Sequence, residues 1–215
     1  MGGTDGMDKK TRTIQNEFIR TCRDAAARGL LACSSGNLSR RLDGGRMLVT
    51  RTRSWLGEVG PEDVAVCSLA DGASLNGVRP TVEVRFHAGI LRARPELNVV
   101  LHFQSPCATT LACRSLARVN FDVIPEIPFY IGPIARVPFR LPGSPALADV
   151  VVRAMTAHNL AILANHGQVT AAVDFAHAIQ NAVFFELACR IILDSGARLR
   201  PLPAAAVRRL RNGTV

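Results

Sequence analysis

Apolar residues Ile14, Phe18, Ile19 and Cys22 recur three and four positions apart within residues 8–28, the repeat of one helix face, and Gly29 supplies a C-terminal stop. Short apolar runs at 46–51 and 64–69 predict strands, with Gly57, Gly60 and Pro61 in the loop between them and Asp71-Gly72 as a turn. Residues 34–40 read as a polar, Gly-containing turn that exposes the Asn37 amide at an edge, where backbone amides attract anions. A helix is predicted over 83–94 and closed by Pro95; a buried strand follows over 97–103. Pro106 then opens a helix to 114, at the position where proline is best tolerated. The proline-punctuated stretch 121–142 mixes extended pieces with loops. A helix over 144–158, a buried strand over 160–165 and a long helix capped by Asp174 and running to Asp194 complete the body. Strands and helices alternate as in a layered α/β domain.

At 215 residues and 48% apolar content, the chain has enough material for a single α/β domain. It divides into a flexible N-terminus (1–7), one domain (8–200) and a loose C-terminal tail (201–215). No apolar stretch is expected to reach the length of a membrane span, and the polar start lacks the apolar centre of a secretion signal. Six scattered cysteines without a CxxC pair read as reduced core residues. A soluble, cytoplasmic protein without a membrane partner is therefore expected. The net charge of +9 raises nucleic acid as a partner. The arginines are nevertheless dispersed, the single cluster Arg208, Arg209 and Arg211 lies in the tail, and one Trp and one Tyr give little for bases to stack on. A solvated basic surface is the reading, with no nucleic acid.

The chemistry concentrates in three separated pieces. His102 and Gln104 end one apolar run, His166-Gly167 ends another, and Glu83 follows a turn. Residues two apart in a strand point the same way, so His102 and Gln104 are expected side by side at a strand's C-terminal end. Two imidazoles and a Gln oxygen form a three-ligand site that keeps a position open for substrate. Glu83 and His87, four apart, are expected on one helix face, with His87 placed to orient Glu83; His158 and His177 read as packing or surface residues.

Five stretches then carry a resemblance: Ser35-Gly36-Asn37-Leu38-Ser39, Leu48-Val49-Thr50, Pro80-Thr81-Val82-Glu83-Val84-Arg85-Phe86-His87, Arg94-Pro95-Glu96-Leu97-Asn98-Val99-Val100-Leu101-His102, and Asn165-His166-Gly167. In this order and spacing the chain resembles the class II aldolase/adducin family, and within it the L-fuculose-1-phosphate aldolase type. The resemblance implies a single three-layer α/β/α domain with a central, mostly antiparallel sheet flanked by helices. It also implies a homotetramer with active sites between neighbouring subunits, and a divalent metal, usually zinc, held by three histidines. His102 and His166 match the first and last of these, and Glu83 matches the acid that exchanges a proton with the enediolate.

This sequence departs from the pattern at several positions. Gln104 stands where the family has its middle histidine; an amide oxygen is a harder and weaker donor than imidazole, so manganese or iron gains on zinc. Thr52-Arg53 and Thr81-Val82 replace the small residues, Thr-Gly and Ser-Ser, of the family's phosphate pocket. Asn37, Thr52, Arg53 and Thr81 are thus expected to line the anionic end of a small-molecule substrate, and a carboxylate there gains on a phosphate. The family's proton-donating tyrosine aligns with Phe129, with Tyr130 adjacent. The function implied is a metal-dependent carbon–carbon lyase, aldolase or decarboxylase, acting on a hydroxyketo sugar, sugar phosphate or sugar acid through an enediolate. The alternative is a non-catalytic scaffold that keeps the fold without a full metal site.

Overall fold

The computed structural model describes residues 9–116 and 119–213; the N-terminal segment 1–7 lies outside them. Seven strands form one sheet in the order β3-β2-β1-β4-β7-β6-β5. They are β1 (Asn37–Arg41), β2 (Arg46–Thr50), β3 (Val64–Ser68), β4 (Val99–Phe103), β5 (Ile134–Val137), β6 (Leu160–Leu163) and β7 (Gly167–Ala172). Every neighbouring pair is antiparallel except β5 with β6. The layered α/β expectation holds, with a mostly antiparallel sheet at its centre.

Alternation along the strands sends side chains into two separate cores. Leu48, Leu101, Phe103 and Ile162 enter one, with Phe18 and Cys22 of α1 (Lys9–Ala27), Leu111 of α3 (Pro106–Ala112) and Phe185 of α5 (Phe175–Ser195). Met47, Val49, Val100 and Leu163 enter the other, with Phe86 and Ile90 of α2 (Val84–Ala93) and Val151 and Met155 of α4 (Pro145–Met155). Both faces of the sheet are therefore covered by helices. β4 is buried along its whole length because it lies mid-sheet. Asp174 caps α5 as its sequence predicts, its side chain accepting from the His177 amide.

Three expectations are corrected and one strand is added. The polar stretch 34–40 is a turn only as far as Gly36; Asn37 onward is β1, hydrogen-bonded between β2 and β4. β7 went unread, because its sequence GQVTAA shows neither alternation nor a β-branched run. By length and composition α5 does reach what a membrane-crossing helix needs. Its residues Ala178, Ala182, Phe185 and Cys189 are buried in the core formed with β4 and α3. Lastly, the segment read as a loose tail contains α6 (Ala204–Arg211), which is docked. Val207 is buried, the Leu202 amide donates to the Asp122 carbonyl at 2.8 Å, and Arg211 pairs with the Asp122 carboxylate at 3.0 Å.

Candidate active site

Antiparallel pairing brings the candidate residues together. β1 and β7 begin where β4 ends, so Asn37 lies opposite His102 and Gln168 opposite Phe103. Residues 79–83 run beside the end of β2, fixed by the Thr52 amide on the Arg79 carbonyl and the Thr81 amide on the Thr50 carbonyl, both at 3.0 Å. That pairing delivers Glu83 to the same spot. Glu83 occupies the N-cap of α2, yet its side chain makes no capping hydrogen bond and turns into the cleft instead. His166 arrives from the turn between β6 and β7, whose tightness depends on glycine. A Cβ at Gly167 would lie 2.6 Å from the Phe103 carbonyl oxygen and 2.7 Å from Gln104 Cγ. Gly36 is equally constrained, with φ of +77° and a hypothetical Cβ 2.8 Å from the His102 carbonyl oxygen.

Glu83, His102 and His166 present donor atoms that all lie within 4.8 Å of one another. His102 Nε2 is 3.5 Å from Glu83 Oε2, and His166 Nε2 is 3.6 Å from Oε1. His102 Nδ1 is 2.9 Å from the Gln168 carbonyl oxygen, which can only accept. A ring hydrogen is thus on Nδ1, and Nε2 is the nitrogen that faces the cleft. Burial, and after it the neighbouring His102, hold the His166 pKa below the ordinary imidazole range against the opposing pull of Glu83, which keeps this ring in its donor form.

A divalent cation suits this cluster. Glu83 is 5% exposed and, among the described residues, ion-pairs with no Lys or Arg. Its Oε1 and the Nδ1 of His166 are buried without hydrogen-bond partners among the described residues. A carboxylate removed from water without a cation is costly. Gln104 leaves the strand after Phe103, its amide bound to the Leu30 carbonyl at 3.0 Å, so it does not share the regular β4 register with His102. Its side chain still reaches the same cleft, of about 230 Å³.

Asn37, Thr52, Arg53 and Thr81 line that cleft as well. Asn37 is buried rather than displayed at an edge, because β1 is an interior strand. Its Nδ2 donates to Glu83 Oε2 at 2.9 Å, and its Oδ1 lies 2.5 Å from His87 Nε2. Thr81 Oγ1 accepts from the Glu83 amide at 3.3 Å. Arg53 has φ of +63°, a left-handed conformation, and its guanidinium has no partner among the described residues. Tyr130 is elsewhere. It sits with Phe129 on a π-helical turn (Ile127–Ile131), 45% exposed and stacked on Phe184.

Three contributors escaped sequence reasoning: the Gln168 carbonyl, Ser39, and the route from His87 to Glu83. That route runs through Asn37, not along a helix face, since Glu83 precedes the helix. The links span 46 to 66 residues of chain, and no local signal exists for them.

His87 predicts a pH response. It is fully buried, and loss of solvent, then proximity to His102, lowers its pKa to about 3. The unfolded chain protonates His87 near 6.5, so this stability is whole above that pH and declines as pH falls toward about 3, by up to ~1.4 kcal/mol per unit. Denaturant titrations at pH 7.5 and 4.5 are expected to show wild type losing more stability on acidification than His87→Gln. Equal losses would refute the assignment.

Residues 16–193 match the family described as class II aldolase and adducin N-terminal domain. The chain is 32% identical over 207 residues to a 3-oxo-tetronate 4-phosphate decarboxylase of Haemophilus influenzae, covering 94% of this chain and 98% of that protein. It is 31% identical over 175 residues to an L-fuculose phosphate aldolase of Methanocaldococcus jannaschii, covering 80% and 88% respectively. The solved structure of YgbL from Escherichia coli superposes with a TM-score of 0.87 at 28% identity, covering 93% of this chain and 98% of that one. With the sheet, the cleft and its Glu–His–His cluster in the same chain, the protein belongs to the class II aldolase and adducin N-terminal domain family.

Proposed function

We propose that the protein is a metal-dependent carbon–carbon lyase, of decarboxylase or aldolase type, acting on a hydroxyketo sugar phosphate or sugar acid. The observation that carries this is the convergence of Glu83, His102 and His166 on one cleft. His102 and His166 would hold a divalent cation, with the Gln104 amide oxygen as third donor; zinc is the first expectation and manganese or iron the next, because that oxygen is hard. Bound there, the cation would supply Lewis acidity toward a substrate carbonyl. Glu83 moves the proton to or from the carbon left behind. Tyr130, outward-facing on a single chain, suits a homotetramer in which it completes a neighbouring copy's cleft and, in an aldol cleavage, protonates the departing aldehyde. All six cysteines are unpaired, which supports a reducing, cytoplasmic setting.

The test is turnover of 3-oxo-tetronate 4-phosphate, read as released carbon dioxide, beside L-fuculose 1-phosphate, read as released aldehyde. Loss of 3-oxo-tetronate 4-phosphate turnover with a chelator and recovery with zinc, manganese or iron is the expected result. A purified protein that retains none of these metals and turns over neither compound would leave the scaffold reading in place.

Asn37, Thr52, Arg53 and Thr81 form the anion end of the cleft in this reading. A left-handed arginine is strained by about 1 kcal/mol or more, and such strain persists where function holds it. Arg53→Gly relieves the strain and deletes one charge-assisted contact, which contributes about 1.5–3 kcal/mol. KM for the anionic substrate is expected to rise about 10- to 100-fold with kcat nearly unchanged. An unaltered KM would remove Arg53 from the site.

A further inference from the structure

Four buried polar side chains form an unbroken chain behind the cleft: Ser39, His87, Asn37 and Glu83. Its direction follows from donor chemistry. In its carboxylate form Glu83 only accepts, so Asn37 presents Nδ2 to Oε2, at 2.9 Å. Asn37 Oδ1 then faces His87 Nε2 at 2.5 Å, and that nitrogen must carry the hydrogen. The other nitrogen of the neutral ring, Nδ1, is left bare and accepts from the Ser39 hydroxyl at 2.8 Å. With Glu83 as a carboxylate and the ring neutral, this assignment satisfies all three bonds.

The consequence falls on the two oxygens of Glu83. Oε2 receives the Asn37 hydrogen bond, while Oε1, on the His166 side, has no hydrogen-bond partner among the described residues. We infer that His87 is a positioning residue: with its tautomer fixed by Ser39, it locks the Asn37 amide and leaves Oε1 as the oxygen of Glu83 that exchanges a proton with substrate. His87 touches no reacting atom. It acts by forbidding the amide flip that would turn Asn37 Oδ1 toward the carboxylate and set two acceptors against each other.

This rests on the reading of Glu83 as proton carrier, so the test has two arms. In the first, long-range ¹H–¹⁵N correlation on the zinc-loaded, histidine-labelled full chain, assigned with His87→Gln, reads the tautomer directly. The Nε2–H form at pH 7 is expected; the Nδ1–H form or an imidazolium at pH 7 overturns the relay. In the second, kcat and KM are measured on 3-oxo-tetronate 4-phosphate. His87→Leu is expected to lower kcat about 10- to 100-fold at unchanged KM and metal content, as small misplacements of a catalytic group do. His87→Gln, whose amide N–H can still donate to Asn37, is expected to recover most of the loss. Undiminished kcat in His87→Leu, or a loss shared equally by the Gln variant, overturns the positioning role. Should His87→Leu not fold, Ser39→Ala replaces it: loss of the Nε2–H preference supports the relay, and its retention overturns it. If wild type turns over nothing, the lyase reading is what fails, and the tautomer still decides the relay.

Discussion

Glu83→Gln is expected to lower kcat by about 10²- to 10⁴-fold, the range carried by a positioned acid–base group. The substitution changes little else. Gln has the same shape, and its amide oxygen can accept the Asn37 hydrogen bond that Oε2 now receives at 2.9 Å. Its NH₂ then takes the place of Oε1 beside His166 Nε2, which lies 3.6 Å away. A neutral amide also removes a buried carboxylate that has no Lys or Arg partner among the described residues. The thermal midpoint of the metal-free protein should therefore be unchanged or raised, since relieving an uncompensated buried charge is stabilising. The combination separates chemistry from folding. Turnover within about threefold of wild type would take Glu83 out of the proton path, whatever its position.

The elements legible in the sequence are those whose local signals agree with their tertiary surroundings. α1 shows helical periodicity because one face alone enters the core, through Phe18 and Cys22. α5 announces its start through Asp174. β4 reads as a strand because both its faces are buried, leaving an apolar run. β1 was hidden by its own function. Ser39 is polar and completely buried, and its hydroxyl is there for His87. In β7, Gln168 and Thr170 are buried polar residues; Thr170 donates to the Asn159 carbonyl at 2.9 Å. β1 departs from apolar patterning at Asn37, which lines the cleft, where rule-breaking residues are expected.

The site itself divides in the same way. Glu83, His102 and His166 could be named from residue type, position and the family resemblance, although only His102 lies within a strand. The support around them could not. Asn37 reads as a turn residue in sequence and serves as the hinge between His87 and Glu83 in the fold. Arg53 reads as a replaced glycine, and only its φ of +63° shows that the backbone kept the glycine conformation. A hydrogen bond between residues 46 positions apart leaves no trace in local periodicity. Such contacts become visible only when antiparallel pairing has set Asn37 opposite His102.

The same logic singles out His102→Asn as the variant expected to lose the metal. Alanine would remove the ligand and also orphan the Gln168 carbonyl, so that a loss could be structural. Asparagine places an N–H near the position of Nδ1, which now sits 2.9 Å from that carbonyl, and omits the nitrogen that faces Glu83. Removing an outer partner of a metal ligand typically costs 10- to 100-fold in affinity. Deleting the ligand itself should cost more than about 100-fold, leaving one imidazole, an amide and the Glu83 carboxylate. Metal content after gel filtration is expected to fall to a trace and turnover to below about 1% of wild type, with secondary structure intact by circular dichroism. Retention of stoichiometric metal by His102→Asn would show that the cation is held elsewhere, and the proposed lyase mechanism would lose its centre.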